Sequence, residues 1–397
     1  MKQRIFITMH YLEIGGAEIS LIGLLQAIDY NKYDVDLFIH AHHGELMSYI
    51  PKEVNLLPEV KKYSVLEKPF KDCVRSGCFD VAFMRFIAKF KRKRYYKTHP
   101  QVKDDDDYFL SHYTTWLLPK INPSVEYDLA ISFLTPHKIV LDKVKAKQKV
   151  AWIHTDYQAI KVARELALPV WEQYDKIASI SKDITKTFTG VFPSLSDKII
   201  DFENILSSDF VRKRAALLDV DKELDTDCVK LLSVGRFAPA KNYDNLPDIC
   251  SRMIKKGAKI KWYIIGYGAD EQLIRRRIAE SGMEEHVIIL GKRSNPYPYI
   301  KACDIYVQPS RYEGKSVTVR EAQILCKPVA ITAYSTACSQ VKDGVDGVIV
   351  PMDNEGCAQG LVDFIGDTSL QEQVQAYLRR HDYGNEREVE KLELLMK

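Results

Sequence analysis

The chain has 397 residues, of which 28% are charged and 46% are hydrophobic, and its formal net charge is only +3. A chain of this length is longer than one that ordinarily folds around a single hydrophobic core, so two domains of similar size are expected. The composition excludes collagen-like and disordered chains, and the small net charge argues against a dedicated nucleic-acid binder.

No stretch of the sequence has the character of a targeting or membrane-spanning segment. Residues 1–8 run directly into a predicted strand and lack the long apolar core of a signal peptide. No run approaches the roughly 20 apolar residues that a membrane span needs. The eight cysteines are scattered without a Cys-x-x-Cys pair, which is typical of buried free thiols in a reducing cytoplasm. We therefore predict a cytoplasmic protein.

The first elements form a predicted βαβ unit. Residues 5–9 are a predicted buried strand, apolar residues recur at helical spacing over 17–28, and residues 34–40 alternate as a second strand. The turn before the helix holds Gly15 and Gly16, which would let the backbone approach a ligand at a helix end that favours negative charge. A Gly-Gly turn of this kind is also common for structural reasons alone.

His154 lies at the end of a predicted strand. Strands are expected at 127–133, 148–154 and 175–181. The carboxyl end of a strand in an open α/β sheet faces the crevice where ligands bind. The histidine is therefore either structural or part of such a crevice.

Residues 79–97 combine an apolar stripe with a dense run of basic residues. The stripe contains phenylalanines and one isoleucine at helical spacing, and lysines and arginines lie between them and after them over residues 85–97. A basic amphipathic helix of this kind can lie on an anionic membrane surface. The alternative is an ordinary helix that packs on its sheet and has a solvated basic end.

The aspartates at 104–107 raise the question of a metal site. No apolar strand leads into them, and an acidic run after a basic one is usually a solvated loop. We predict no metal site here.

The pattern of alternating strands and helices restarts near residue 230. Strands are predicted at 230–237, 260–266, 287–290, 304–308, 328–332 and 347–350. Strands that alternate with helices indicate a second parallel, doubly wound sheet. We expect an α/β fold with two Rossmann-like domains that face one another across an interdomain cleft. Residues 1–205 would form the first domain and 206–370 the second, and the helices of 371–397 would pack back on the first.

The stretch 310–323 contains the strongest candidate site. Glu313 lies on a predicted strand-to-helix loop, and Glu321 lies eight positions later inside the helix. The start of that helix offers backbone N–H groups to an anion, and carboxylates suit the hydroxyl groups of sugars. Arg236 and Lys241 follow another strand and supply the cations that a diphosphate needs, although Arg236 alone could equally form a surface ion pair.

An ordered set of motifs carries a family resemblance. It consists of Gly-Gly-Ala-Glu at 15–18, Ser-Val-Gly-Arg-Phe at 233–237, Ile-Gly-Tyr-Gly at 265–268, Pro-Ser-Arg-Tyr-Glu-Gly at 309–314, and Asp-Gly-Val-Asp-Gly at 343–347. With Lys241 and the spacing from Glu313 to Glu321, the set resembles the retaining GT-B glycosyltransferases of group 1, the family-4 or glycogen-synthase-like class. The resemblance is strong over residues 230–351 and thin between 45 and 125.

The resemblance implies a role for each matching residue of the second domain. Arg236 and Lys241 would hold the nucleotide diphosphate and assist its departure. Glu321 would bind the ribose and Glu313 the donor sugar. Further contacts to the nucleotide or its phosphates are implied for Gly235, Gly266, the loop residues Lys292 and Arg293 near the base, and the backbone N–H groups of Ser316 and Val317.

In the first domain, the resemblance places Gly15 and Gly16 at the phosphate and His154 on the acceptor side of the reacting centre. Such enzymes are similar in needing neither a metal ion nor another cofactor. Their leaving group departs on the face that the acceptor attacks, so the configuration of the sugar is retained.

Four positions depart from the family pattern. Lys315 and Ser316 stand where a small or aromatic residue and then Gly or Pro are common, which leaves the donor sugar open. Cys326 stands at the usual glycine of a Gly-x-Pro turn, and Gln340 stands where many members have Glu.

The expected function is therefore retaining, metal-independent transfer of a hexosyl group from a UDP-type or GDP-type donor. The acceptor would be a glycan or a lipid-linked sugar in surface polysaccharide biosynthesis, at the inner face of the membrane. Two alternatives are a nucleotide-sugar epimerase of the same fold and a non-catalytic nucleotide-sugar-binding protein. A Rossmann dehydrogenase fits less well, because no Gly-x-Gly-x-x-Gly follows the first strand.

Overall fold

The computed structural model describes residues 2–66, 68–102, 106–135, 137–157, 160, 162–224 and 227–397. The chain divides into two compact units. The first comprises Met1–Ile205 together with Glu386–Lys397, and the second comprises Leu206–Asn385.

A parallel sheet of seven strands forms the centre of the first unit within the described residues. The strands are β1 (Gln3–Met9), β2 (Tyr33–Ile39), β3 (Asn55–Leu56), β4 (Tyr127–Ser132), β5 (Ala146–Ile153), β6 (Lys176–Ser179) and β7 (Ile199–Asp201). Their spatial order is β3-β2-β1-β4-β5-β6-β7. The central strands β1 and β4 are buried over most of their length, as expected when helices cover both faces of a parallel sheet.

The helices of the first unit lie between these strands along the chain. They are α1 (Gly16–Ala27), α2 (Lys61–Ser64), α3 (Phe70–Arg75), α4 (Phe79–Thr98), α5 (Asp106–Thr114), α6 (Lys138–Lys143), α7 (Arg164–Trp171) and α8 (Lys182–Val191).

The second unit repeats this plan with a six-stranded parallel sheet in the described part of the chain. Its strands are β8 (Val229–Val234), β9 (Ile260–Ile265), β10 (Val287–Gly291), β11 (Ile305–Gln308), β12 (Val329–Thr332) and β13 (Val348–Val350). Its helices are α9 (Ser208–Ala215), α10 (Leu246–Lys255), α11 (Glu271–Glu280), α12 (Tyr297–Ala302), α13 (Val317–Ile324), α14 (Ala337–Gln340), α15 (Asn354–Gly366) and α16 (Thr368–Arg380).

The strand order of each sheet identifies where a ligand would bind. The strand order of the second sheet is β10-β9-β8-β11-β12-β13. In both sheets the order in which successive strands are added reverses beside the first strand, between β1 and β4 in the first sheet and between β8 and β11 in the second. In open α/β sheets, ligands bind outside the carboxyl ends of the strands at this reversal. The prediction of two parallel-sheet, Rossmann-like domains is confirmed.

The C-terminal residues divide differently from the boundary at 370 drawn from the sequence. Helix α16 belongs to the second unit, where Val374 and Leu378 are buried. The last helix, α17 (Leu392–Leu395), belongs to the first unit. Lys391 Nζ donates to the carbonyl oxygen of Asp201 at 3.0 Å, which ties this final segment to the end of β7.

The loop after β10 is short, because α12 begins at Tyr297 and the two prolines beside it suit a first helical turn. Of the two interpretations left open for residues 79–97, packing of the apolar stripe on its sheet does not hold for the four phenylalanines of α4, which are 61–66% exposed. Asp104 and Asp105, considered above for a metal site, lie outside the described residues.

Within the residues described, the structure contains no helix whose length and apolar character would let it cross a bilayer.

Candidate active site

Glu313 accepts several hydrogen bonds at the reversal point of the second sheet. Its Oε1 atom accepts from Lys241 Nζ at 2.5 Å, Ser310 Oγ at 2.6 Å and Gln308 Nε2 at 2.9 Å. The Lys241 and Glu313 side chains are only 20% and 12% exposed. The sequence predicted the carboxylate and the cation, and the structure brings them together.

The loops that carry this pair are tied to one another by Arg311. Its guanidinium donates to both carboxylate oxygens of Asp244, at 2.9 and 2.7 Å. Its backbone N–H donates to the carbonyl oxygen of Ala240 at 2.8 Å. A planar fork on a carboxylate has restricted geometry, so Arg311 positions the Glu313 loop against the loop that holds Lys241.

Gly235 and Gly266 permit close packing of the loops after β8 and β9. A Cβ atom on Gly266 would lie 1.9 Å from the carbonyl oxygen of Gly235. A Cβ atom on Gly235 would lie 2.9 Å from the Tyr243 hydroxyl oxygen and 3.1 Å from Lys241 Cε. Gly235 therefore leaves the space that the Lys241 side chain occupies on its way to Glu313.

Arg236 follows β8 directly and its side chain is exposed. It lies at the carboxyl end of the first strand of its sheet, beside the reversal point, as expected for a cation that meets an incoming anion.

Glu321 is fully buried in α13. Its Oε1 atom accepts from the Tyr297 hydroxyl at 2.8 Å, and its buried Oε2 atom has no hydrogen-bond partner among the described residues. Burial raises the pKa of this carboxyl from 4.5 to about 7, although the Tyr297 bond and the charge of Arg214 act in the opposite direction. Oε2 is thus a buried acceptor without a donor, which is costly unless a ligand supplies one.

Gln340 holds the main chain at the start of α13. Its Oε1 atom accepts from the Ser316 backbone N–H at 3.2 Å, and its Nε2 atom donates to the Ser316 carbonyl oxygen. An amide can make both bonds, whereas the glutamate common at this position could only accept. The Ser316 N–H that the sequence assigned to a phosphate therefore already has a partner, while Val317 begins the helix.

The loop after β10 is engaged within the second unit. Arg293 Nε donates to the Tyr299 hydroxyl at 2.9 Å, and its Nη2 atom lies 3.4 Å from Glu223 Oε2. The ammonium of Lys292 lies 4.9 Å from the centre of the Tyr267 ring. Both residues are placed beside tyrosine rings, and their role toward a nucleotide base stays a prediction.

In the first unit, Gly15 caps α1 and Gly16 begins it. A Cβ atom on Gly15 would lie 2.2 Å from Glu18 Oε2, so the carboxylate of the first turn folds back over this end of the helix. An anion that binds here would have to displace a flexible side chain.

His154 follows β5 and its ring lies beside Phe133, with 4.8 Å between the ring centres. Its Nε2 atom is buried and has no hydrogen-bond partner among the described residues. Burial lowers the pKa of its imidazole to about 3, so the ring is neutral at physiological pH. The nearby His137, which the sequence did not single out, is buried, and its Nδ1 atom lies 2.9 Å from Ser132 Oγ.

The supporting roles of Gln308, Ser310, Arg311 and Gln340 were not predicted from the sequence. Arg311 and Gln340 act through contacts with residues distant in the chain, whose partners the sequence does not indicate. The signal for Gln308 was available, since it is polar at the end of an otherwise apolar strand.

The site is thus rich in cations, carboxylates and amide groups. No group of three or more His, Cys, Asp or Glu residues in the described part of the chain is arranged to hold a metal ion. Arg236, Lys241 and the start of α13 can meet a diphosphate, while Glu313 and Glu321 can accept from hydroxyl groups.

Residues 218–381 match the family model of the glycosyl transferases group 1. A poly(ribitol-phosphate) alpha-N-acetylglucosaminyltransferase of Staphylococcus aureus is 23% identical over 187 residues, which is 42% of this chain and 38% of that protein. The N-acetylgalactosamine-N,N'-diacetylbacillosaminyl-diphospho-undecaprenol 4-alpha-N-acetylgalactosaminyltransferase of Campylobacter jejuni is 32% identical over 142 residues, which is 35% of this chain and 38% of that protein. The matched part therefore spans about two fifths of the length of these curated relatives.

The fold extends the likeness to the whole chain. The structure of Anabaena HepE in complex with UDP-glucose superposes with a TM-score of 0.66 at 15% sequence identity, covering 98% of this chain and 99% of that one. Both units thus follow the GT-B fold.

Proposed function

We propose that this chain, whose residues 218–381 match the family model of the glycosyl transferases group 1, transfers a hexosyl group with retention from a nucleotide diphosphate donor. The observation that carries the proposal is the contact between Lys241 and Glu313 at the reversal point of the second sheet, where Arg236 lies on the loop that follows β8.

The cations act on the leaving group. As the bond between the anomeric carbon and the phosphate oxygen breaks, negative charge develops on the diphosphate. Arg236 and Lys241 stabilise that charge, and a single donor of this type is worth about 3 kcal/mol in the transition state. In this scheme the two side-chain cations neutralise charge that a metal ion would otherwise have to neutralise. The reaction therefore proceeds without a metal ion.

The carboxylates position the donor. Glu313 accepts from hydroxyl groups of the transferred sugar through Oε2, which takes part in none of the three bonds at Oε1. Glu321 Oε2 accepts hydrogen bonds from the ribose hydroxyls, which are the hydrogen-bond partners that this buried oxygen otherwise lacks.

The acceptor attacks the anomeric carbon from the side on which the diphosphate leaves. A new bond forms from the acceptor oxygen to the anomeric carbon, and the proton of the acceptor hydroxyl passes to the departing phosphate oxygen. His154 is neutral, so it acts as a hydrogen-bond partner on the acceptor side rather than as a cation. The names of the similar proteins support a polyol-phosphate, glycan or lipid-linked acceptor, and the UDP-glucose complex of HepE supports a UDP-type donor.

A thermal-shift panel of UDP-sugars and GDP-sugars tests the donor. Binding to the native state raises its melting temperature, so the true donor class should stand out. Transfer is then assayed with that donor, and the anomeric configuration of the product is read by NMR. An inverted product would contradict retention, and an isomerised sugar nucleotide formed without acceptor would show an epimerase instead.

A further inference from the structure

Helix α4 presents a row of phenylalanines to solvent. Phe79, Phe83, Phe86 and Phe90 are 66%, 63%, 61% and 61% exposed. Their spacing of four, three and four residues places all four within about 60° of one another around the helix axis. They form a continuous apolar stripe, called here the phenylalanine stripe.

The stripe lies on the side of α4 that faces away from the protein. Two of the three buried residues of α4, Val81 and Ala88, lie about 170° around the axis from its centre, and the third, Ala82, lies about 70° from it, given 100° per residue. Arg85 donates to the carbonyl oxygens of Val65 and Lys68 and so fastens the other side of the helix to the unit. The stripe is therefore held outward by the packing of α4.

Aromatic exposure is concentrated around this helix. Every exposed phenylalanine and tryptophan in the described part of the chain lies between residues 70 and 116. Phe70, on the helix α3 that packs beside α4, is 47% exposed, and Trp116, which follows α5, is 64% exposed. Single exposed apolar residues are ordinary, but a row of four with exposed aromatic neighbours marks an interaction surface.

Basic residues follow the phenylalanine stripe along α4. Lys93, Arg94 and Lys97 are exposed and follow Phe90 on the same face of α4. Over its whole length α4 contains seven lysines and arginines and one acidic residue, Asp80. The face is thus apolar over its first three turns and basic over its last two.

We propose that α4 docks this protein on an anionic lipid bilayer, with the phenylalanine stripe at the acyl boundary and Lys93, Arg94 and Lys97 on lipid phosphates. Aromatic side chains beside basic ones are what an interfacial helix presents to a membrane. A second copy of this chain is a poorer occupant, because two such helices would bring like charges together. The docking does not depend on the proposed function, since no residue of the candidate active site takes part.

The apolar contribution is tested by vesicle flotation of the full-length chain. The vesicles contain phosphatidylcholine either alone or mixed with phosphatidylglycerol. The native chain should float with the mixed vesicles, and Phe83→Ser with Phe86→Ser should weaken binding by about tenfold or more. The matched control is Leu217→Ser with Leu218→Ser, whose residues are 63% and 59% exposed in the second unit. Thermal melting shows whether each variant is folded.

The basic contribution is tested by charge reversal. Lys93→Glu with Arg94→Glu should weaken binding to the mixed vesicles at low salt, whereas Lys222→Glu with Lys255→Glu, at exposed lysines elsewhere, should not.

Either of two results would overturn the proposal. In the first, the folded Phe83 and Phe86 double variant floats as well as the native chain. In the second, the native chain does not float and sediments as a dimer that the same variant dissociates.

Discussion

Lys241 Nζ lies 2.5 Å from Glu313 Oε1, and this contact joins the loops after two neighbouring strands, β8 and β11. The cation proposed for the leaving group and the carboxylate proposed for the sugar are therefore one linked unit before any donor binds. Gln308 and Ser310 donate to the same carboxylate oxygen and so hold Glu313 independently of Lys241.

Arg311 should act as a positioning residue for this pair. Arg311→Ala removes the fork on Asp244, so the Glu313 loop should exchange amide hydrogens faster and the transfer rate should fall by about tenfold. Asp244→Ala should have a similar effect, and the double variant should be little worse than either single one, because both changes remove the same contact. Additive increases in the amide exchange rate would show that Arg311 acts elsewhere.

Glu321 should make stability depend on pH. The pKa of its carboxyl is about 7 in the folded protein and 4.5 ordinarily. The contribution of the neutral carboxyl to folding stability is therefore fully present below pH 4.5 and is lost as the pH rises through 7. Each pH unit of that difference corresponds to about 1.4 kcal/mol, which bounds the loss at about 3 kcal/mol.

The measurement is chemical denaturation of the native chain and of Glu321→Gln from pH 4.5 to 8.5. The amide cannot ionise, so the unfolding free energy of the variant relative to the native chain should rise between pH 5 and 7 and level off above 8. An offset that stays constant with pH would contradict the raised pKa.

His154 should affect transfer without affecting donor binding. His154→Gln should lower the rate of transfer to the acceptor by at least about tenfold and leave the nucleotide-sugar dissociation constant unchanged. Because burial holds the pKa of His154 at about 3, its NMR signals should show no protonation above pH 5. Parallel loss of donor affinity would place His154 at the donor instead.

Cys326 should be a site where glycine is stabilising. Its φ is +55°, and it lies in the turn that follows α13. In this turn the Cys326 N–H donates to the carbonyl oxygen of Gln323, and the Lys327 N–H donates to the carbonyl oxygen of Ala322. This left-handed position favours glycine, so Cys326→Gly should raise the unfolding free energy by about 0.5–1 kcal/mol in denaturant titration. Cys326→Val should lower it.

The sequence predicted the architecture well because its signals are local and repeated. Apolar runs that alternate with amphipathic helices define the two parallel sheets, and the strand-to-helix loops place Glu313 and Arg236 at carboxyl ends. The resemblance to the group 1 glycosyltransferases rested mostly on motifs within residues 218–381, the range that the family model matches.

What the sequence did not predict depends on long-range contacts. The burial of Glu321 against Tyr297 and the clasp of Gln340 on Ser316 join residues 24 positions apart in the chain. The sequence left the direction of the phenylalanine stripe open between a membrane surface and the sheet. The packing of Val81, Ala82 and Ala88 shows which side of α4 is buried.

The role of Arg236 and Lys241 at the leaving group is tested most directly by single-turnover transfer. The variants Arg236→Ala and Lys241→Ala are assayed at a saturating concentration of the nucleotide-sugar donor that the thermal-shift panel identifies. Loss of either cation should lower the rate by about a hundredfold or more, because each stabilises charge that develops only as the diphosphate leaves. Arg236→Ala should keep the native melting temperature, since its side chain is exposed. Near-native rates in both variants would contradict the assignment of this site to the leaving group.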